Sequence, residues 1–234
     1  MLVLVLDTAT PAITAAVASV TDTVEVLAER VTVDARAHGE LLAPSIDAVL
    51  HEAGATPPDL AAVVAGLGPG PFTGLRVGLV TAAALADTLD IPAYGVGTLD
   101  ALGWAATGRV AATGRVAATG RVAATGRVLV ATDARRREIY WAVYEDGKRL
   151  AGPAVDRPAE LTLDVEAAVG DGALRYADVL GVPVRDTPRY PPAAGLAALA
   201  APRVREKAPS EQLVPLYLRR PDAVEPGAPK AVTR

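Results

Sequence analysis

The sequence predicts an α/β protein of two lobes, the second the smaller, and three observations carry that reading. Short apolar runs of strand length alternate with segments of helical period through the first half of the chain. A weaker set of the same elements follows residue 128. The 234 residues, 51% of them hydrophobic, amount to about one and a half domains at roughly 150 residues each, enough to bury a core.

Leu2 to Leu6 is a continuous apolar run ending at Asp7, the pattern of a strand buried on both faces. Ile13 to Val20 and Val24 to Val33 are rich in β-branched residues and flank Thr21-Asp22-Thr23, which predicts a hairpin. From His38 the period changes. Leu41, Leu42, Ile46, Val49 and Leu50 recur at three- and four-residue spacing, giving an amphipathic helix that stops at Gly54, with Pro44 as a kink or a late start. Ala61 to Ala65 is a further buried strand, followed by a Gly/Pro loop and an apolar helix from Thr73 to about Leu89. Ile91 to Val96 closes this half as a strand before a short helix over Thr98 to Trp104.

A β-meander running into right-handed βαβ units is the construction of the ribonuclease H-like lobes of the actin-like ATPase superfamily, and such lobes come in pairs. The second half repeats it less cleanly. Arg127 to Thr132 reads as a strand, Ile139 to Tyr144 and Arg149 to Val155 as a hairpin around Glu145-Asp146-Gly147-Lys148, and Leu174 to Leu180 as a short helix. The expected division is an actin-like lobe over 1–102, a connection over 103–128, a smaller lobe over 129–220 and a disordered tail over 221–234, where Pro and Ala recur without period.

That connection holds Ala-Ala-Thr-Gly-Arg-Val four times in tandem, from Ala105 to Val128. Four copies are too few for a β-helical coil with a core, and in an α-helix six residues advance about 240°, so the valines form no stripe. An expanded connection tolerated as a loop is the plain reading. A basic finger presenting Arg109, Arg115, Arg121 and Arg127 to an anionic partner is the alternative.

Composition removes whole classes of chemistry. The absence of cysteine excludes disulfides, thiol nucleophiles and iron–sulfur centres. His38 and His51 are the only histidines, and on one helix they would sit roughly 20 Å apart, too far to share an ion. No metal site is therefore expected. The net charge of -4 gives no global attraction to nucleic acid or an anionic membrane. There is no G-x-x-x-x-G-K-[ST] motif, no secretory pattern at the N-terminus and no uninterrupted apolar run of membrane-spanning length, so a soluble cytoplasmic protein is expected.

Three stretches carry the specific signals. Asp7 ends the first buried strand, where ATP-using members of the superfamily place an acid that holds magnesium through water. The run Asp7-Thr8-Ala9-Thr10 lacks the glycine that lets a loop wrap phosphate, so a structural or interface aspartate stands beside the phosphate-loop reading. Gly66 to Gly78 follows a strand and opens a helix, yet lacks the spacing of a dinucleotide fingerprint. Its Gly74 and Gly78 share one helical face, which points to tight packing or a subunit interface, and Arg76 in the first turn should answer to an acid or phosphate elsewhere. Asp133-Ala134-Arg135-Arg136-Arg137-Glu138 places three arginines between two strands, either a solvated turn or a local anion or RNA contact.

The Leu-Asp7-Thr-Ala-Thr start, His38-Gly-Glu-Leu-Leu with Pro44, Gly68-Pro-Gly-Pro-Phe-Thr-Gly-Leu-Arg-Val-Gly78, Asp133-Ala-Arg-Arg-Arg-Glu-Ile-Tyr140 and Pro215-Leu-Tyr-Leu-Arg219 together resemble the TsaB (YeaZ) family of the bacterial system that makes threonylcarbamoyladenosine in tRNA. The resemblance runs to about Arg220, apart from the repeats. It implies a non-catalytic subunit that pairs with a TsaD-like transferase and supports a TsaE-like ATPase. ATP or ADP and the metal are expected on those partners or at their interface, none on this chain alone, and tRNA is reached indirectly. In the transferase a His-x-x-x-His pair holds the metal; here Leu42 follows His38 by four residues.

Family members pair through their first two helices, which makes Leu41, Leu42, Ile46, Gly74, Leu75, Gly78 and Leu79 the interface candidates, with Asp7, Thr10 and Arg76 as weaker candidates for nucleotide, anion or polar interface contacts. Gly78→Leu is then expected to abolish pairing and leave the lone chain folded. Homodimers are expected when the partner is absent. An ATP-dependent phosphotransferase of the same superfamily is the competing reading, and a peptidase would lack both nucleophile and metal set. Deleting three of the four hexapeptides is expected to leave folding and partner binding intact. Thermal denaturation and a pull-down check this, and loss of either would make the repeat an essential element.

Overall fold

The computed structural model describes residues 1–107 and 126–219. Most of the hexapeptide array and the expected tail over 221–234 lie outside the described residues. β1 (Leu2–Asp7) is the predicted apolar run, and it sits at the centre of a five-stranded sheet, flanked by antiparallel β2 (Ala12–Val20) and parallel β4 (Leu60–Gly66). β3 (Val24–Val33) and β5 (Ala93–Val96) complete the order β3-β2-β1-β4-β5. Val3 to Leu6 have no exposed surface, as a strand covered on both faces requires.

Two helices cover one face of this sheet. α1 (His38–Glu52) starts at its first expected residue, so Pro44 is no late start but an interior proline carried on the exposed side. α2 (Phe72–Leu89) turns Gly74, Leu75, Gly78, Leu79, Ala82 and Ala86 inward and ends on Asp90 in the left-handed conformation. With 18 residues and a mean hydropathy of 1.3, α2 is long and apolar enough to cross a membrane, a match that the expectation of no such run did not foresee. Its inner face is, however, part of the core formed with Leu4, Leu6, Leu42 and Val63.

The other face is covered from far along the chain. α6 (Ala193–Arg205) lays Ala193, Leu196, Ala197, Ala200 and Val204 against Val3, Val5, Ala16 and Ala18, and the chain after it runs beside β5, with the Glu211 amide donating to Ala93 O at 2.9 Å. The expected lobe over 129–220 is thus divided. β6 (Val128–Asp133), β7 (Ile139–Glu145), β8 (Lys148–Asp156) and β9 (Ala167–Val169) form a second sheet, order β8-β7-β6-β9, while residues 193–217 return to the first. The physical reason is composition. Alanine on all sides gives α6 almost no amphipathic signal, yet its low profile lets it lie close against small strand residues. The helix expected over 174–180 is two short ones, Asp171–Arg175 (α4) and Ala177–Leu180 (α5), divided at Tyr176.

α3 (Thr98–Ala106) joins the two sheets. Its Leu99, Leu102 and Ala106 pack with Val128, Val130 and Tyr140, and the Tyr144 hydroxyl donates to Asp100 at 2.8 Å. Between β6 and β7, Arg135, Arg136 and Arg137 have φ of 60°, 54° and 64°, three consecutive left-handed residues without a glycine. For side-chain-bearing residues that conformation costs roughly 1 kcal/mol or more each.

Gly103 on α3 faces the Tyr144 ring so closely that a Cβ there would lie 2.4 Å from it. Gly103→Ala is expected to destabilise the protein by about 1–3 kcal/mol through overpacking at the junction of the two sheets. A lowered midpoint in thermal or urea denaturation checks it; an unchanged midpoint would show that the ring yields freely.

Candidate functional site

At the carboxyl end of β1 the chain makes a tight loop, and the glycine-rich segment closes over it. Asp7 Oδ1 accepts the Ala9 amide at 2.9 Å, and Oδ2 accepts the Thr98 hydroxyl at 2.7 Å. The Thr98 oxygen also accepts the Gly68 amide, and the Thr98 amide donates to Gly68 O. One threonine thus ties the β1 carboxylate to the start of the glycine loop. Only glycine fits beside it: a Cβ at Gly66 would lie 1.8 Å from Asp7 Oδ2, and one at Gly70 would lie 2.1 Å from Ala9 O.

Thr8 is inserted into α2. Its hydroxyl donates to Gly74 O at 2.7 Å and accepts the Gly78 amide at 2.9 Å, a carbonyl and an amide four residues apart on one face of the helix. A Cβ at Gly78 would lie 2.4 Å from that hydroxyl. His38 Nε2 donates to Thr10 O at 2.9 Å, and the Thr10 side chain accepts the Ala12 amide. Burial holds the Asp7 carboxyl up at about 6 against an ordinary 3.8, although the Thr98 hydroxyl, the Ala9 amide and nearby His38 all act to lower it.

This geometry does not fit a phosphate loop. Both oxygens of Asp7 are engaged by the chain itself, and the loop backbone faces the glycines of α2 instead of open space. His38 is spent on the same loop, and Leu42, four residues on, lies in the core. Among the described residues no three His, Cys, Asp or Glu gather in a way that could hold a metal.

The family model described as TsaD, tRNA N6-adenosine threonylcarbamoyltransferase, matches residues 25–185. An uncharacterized protein of Mycobacterium tuberculosis is 49% identical over 94% of this chain and 93% of its own length. The Bacillus subtilis tRNA threonylcarbamoyladenosine biosynthesis protein TsaB is 32% identical over 51% of this chain and 46% of its own. The solved structure of YeaZ from Pseudomonas aeruginosa superposes with a TM-score of 0.72 at 26% identity, covering 93% of this chain and 99% of that one. The chain belongs to the TsaD family, among its TsaB (YeaZ) members.

Against the expectations for a TsaB-type chain, the candidate residues divide unevenly. Leu42, Ile46, Leu75 and Leu79 are core residues, and Gly74 and Gly78 face Thr8 and His38 of the same chain, so six of the seven interface candidates point inward. Leu41 alone is partly at the surface. Helical periodicity locates the apolar face of each helix, and the sheet of this same chain covers it. Leucine at position 78 would drive into Thr8, so Gly78→Leu tests folding before pairing, contrary to the expectation of a folded lone chain.

Among the described residues no acid pairs with Arg76. Its guanidinium lies 3.8 Å over the Phe72 ring, and its Nε donates to the Tyr217 hydroxyl at 2.9 Å, with the two rings stacked at 5.3 Å. The cation–π contact offsets the unfavourable helix end. Sequence reasoning alone does not single out Thr8, Thr98, Phe72 or Tyr217. Thr98 carries one signal, a hydroxyl residue opening a helix directly after a strand.

Because the Asp7 carboxyl is raised, the folded state holds its proton where the unfolded chain has released it. Stability therefore falls as pH rises from about 4 to about 6, by on the order of 3 kcal/mol from this group. Asp171, also held up at about 6 by burial, acts in the same direction. Asp7→Asn is expected to flatten the fall between pH 4 and pH 6 relative to the parent chain. Urea denaturation across that range measures it, and parallel profiles would contradict the assignment.

Proposed function

We propose that this chain is a non-catalytic scaffold and activating subunit in the synthesis of tRNA threonylcarbamoyladenosine, pairing with a TsaD-like transferase and supporting the binding of a TsaE-like ATPase. Nucleotide and metal then sit on those partners or at their interface, and the work is done in the cytoplasm. The observation that carries this reading is the closed loop at Asp7. A member of an ATP-using superfamily whose first carboxylate is consumed by Ala9 and Thr98, beside closely packed glycines of its own, leaves both oxygens of that carboxylate already engaged by the chain. Similarity to the Bacillus subtilis TsaB supports the process, and the match to the TsaD family model supports a partner of the same build.

The pairing surface follows from what α1 and α2 leave outside. Phe72, Arg76, Val80 and Ala84 recur at four-residue spacing on α2, with Phe72 54% and Val80 65% exposed. Leu41, Pro44 and Ala48 lie on the outer side of neighbouring α1. This outward stripe replaces the inward residues as the docking face, and the same stripe would serve a homodimer.

Val80→Glu is expected to leave the stability of the lone chain within about 0.5 kcal/mol of the parent, read from thermal denaturation, and to abolish co-purification with the TsaD-like partner. Modification of unmodified tRNA by purified TsaC, TsaD and TsaE homologues should require the parent chain and fail with the variant. Intact pairing would refute the surface, and full modification without the chain would refute the role. Magnesium-dependent ATP turnover by the chain alone would favour a phosphotransferase instead.

A further inference from the structure

The β6–β7 turn is built at a cost that its fold role does not require. A hairpin needs glycine, asparagine or aspartate where φ is positive, yet this one holds Arg135, Arg136 and Arg137 in succession in the left-handed region. All three are exposed. The turn is pinned from both ends: the Arg135 amide donates to Asp133 Oδ1, the Glu138 amide donates to Arg135 O, and Arg219 holds both the Glu138 carboxylate and Ala134 O. Arg136 already has an interaction within the protein, whereas none of the ion pairs among the described residues involves Arg137. Asp133 at the base of the turn also lines a cleft of about 590 Å³ with Asp171, Asp186, Arg175, Arg189 and Tyr190, so three carboxylates face two arginines there and the cleft itself does not favour an anion. Arg175 is neutralised by Asp133 at 3.3 Å, and Arg189 lies along the Tyr190 ring with its centre 5.4 Å away.

We propose that the exposed Arg135–Arg137 turn is a contact for the phosphate backbone of RNA. Strain retained at an exposed turn marks a site where the side chains are wanted in that arrangement. Guanidinium groups match phosphate oxygens in a fixed fork, and the chain uses arginine here although its overall charge is negative. Successive left-handed residues splay their side chains in different directions, which suits neighbouring phosphates of a polymer better than one small anion. The inference deepens the function proposed above, giving this chain its own contact with the RNA substrate in place of an indirect one, and it rests on that reading for the choice of RNA.

The test is binding of a fluorescent, unmodified tRNA transcript to the full chain, alone and paired with the TsaD-like partner, from 50 to 200 mM KCl. The triple variant R135G/R136G/R137G is expected to lower affinity at least tenfold at 50 mM KCl. It should also make the slope of log K against log[KCl] shallower by about 2, at roughly 0.7 for each phosphate that the protein ceases to neutralise. Glycine adopts these φ values without strain, so the thermal midpoint should hold or rise, and pairing should be unchanged. The single variant R137Q should reduce the slope by the share of about one phosphate and serves if the triple variant does not fold. Equal affinity and slope for parent and variants, or no RNA binding by the parent in either form, overturns the proposal while the scaffold reading stands. Failure of the parent chain to pair refutes the scaffold, and the RNA slopes of the lone chain still decide this inference.

Discussion

Thr8 enters α2 between Gly74 and Gly78, and the arrangement of the first lobe depends on that insertion. The hydroxyl bonds both the Gly74 carbonyl and the Gly78 amide, so the loop after β1 and the helix after β4 share one hydrogen-bonding unit. Backbone can come this close only where side chains are missing. Gly70, Gly74 and Gly78 supply that absence at four-residue intervals, each against an atom of Thr8 or Ala9. The helix is thereby fixed in rotation and in height over the sheet, and Leu75, Leu79 and Ala82 fall into the core as a consequence.

The same closure explains the state of Asp7. A carboxylate at the end of a buried strand is costly unless it is satisfied, and here the Ala9 amide and the Thr98 hydroxyl supply the partners. Desolvation nevertheless outweighs both bonds, which is why the group is held up at about 6 and not pulled down. A residue type that elsewhere in the superfamily faces a solvated cation becomes a strut between β1, the glycine loop and the first turn of α3.

Much of the first lobe is legible in the sequence because its signals are local. The apolar run of β1, the hairpin around Thr21-Asp22-Thr23 and the periods of α1 and α2 each follow from a single window of sequence. What is not legible is long-range. α6 lies roughly 100 to 190 residues along the chain from the strands it covers and is built of alanine, so neither period nor composition says where it packs. Gly74 and Gly78 do mark a place of close approach, but the approaching backbone is the chain's own loop. Leu42, Ile46, Leu75 and Leu79 mislead for the same reason: apolar periodicity reports that a face is covered and is silent about which molecule covers it. At Arg135 to Arg137 the charges are visible in the sequence, while their left-handed backbone is not, since nothing local favours it.

α2 therefore has two faces with unlike constraints. The inner one tolerates only glycine and small or branched apolar residues, because a loop and a sheet press on it. The outer one, Phe72 through Ala84, is free of that pressure yet keeps apolar side chains where solvent alone would favour charge. Since the insertion of Thr8 fixes the helix in rotation, it also sets the direction in which the outer stripe points. A change at Gly78 consequently alters the core and the outward surface together, whereas a change at Val80 alters the surface alone. The helix end fits the same division: the lone phenylalanine of the chain is spent outside, under Arg76 and beside Tyr217, from a segment that follows α6. The long return of the chain from the second sheet to the first thus serves both sides, covering the strands with α6 and completing the aromatic edge of the outward stripe.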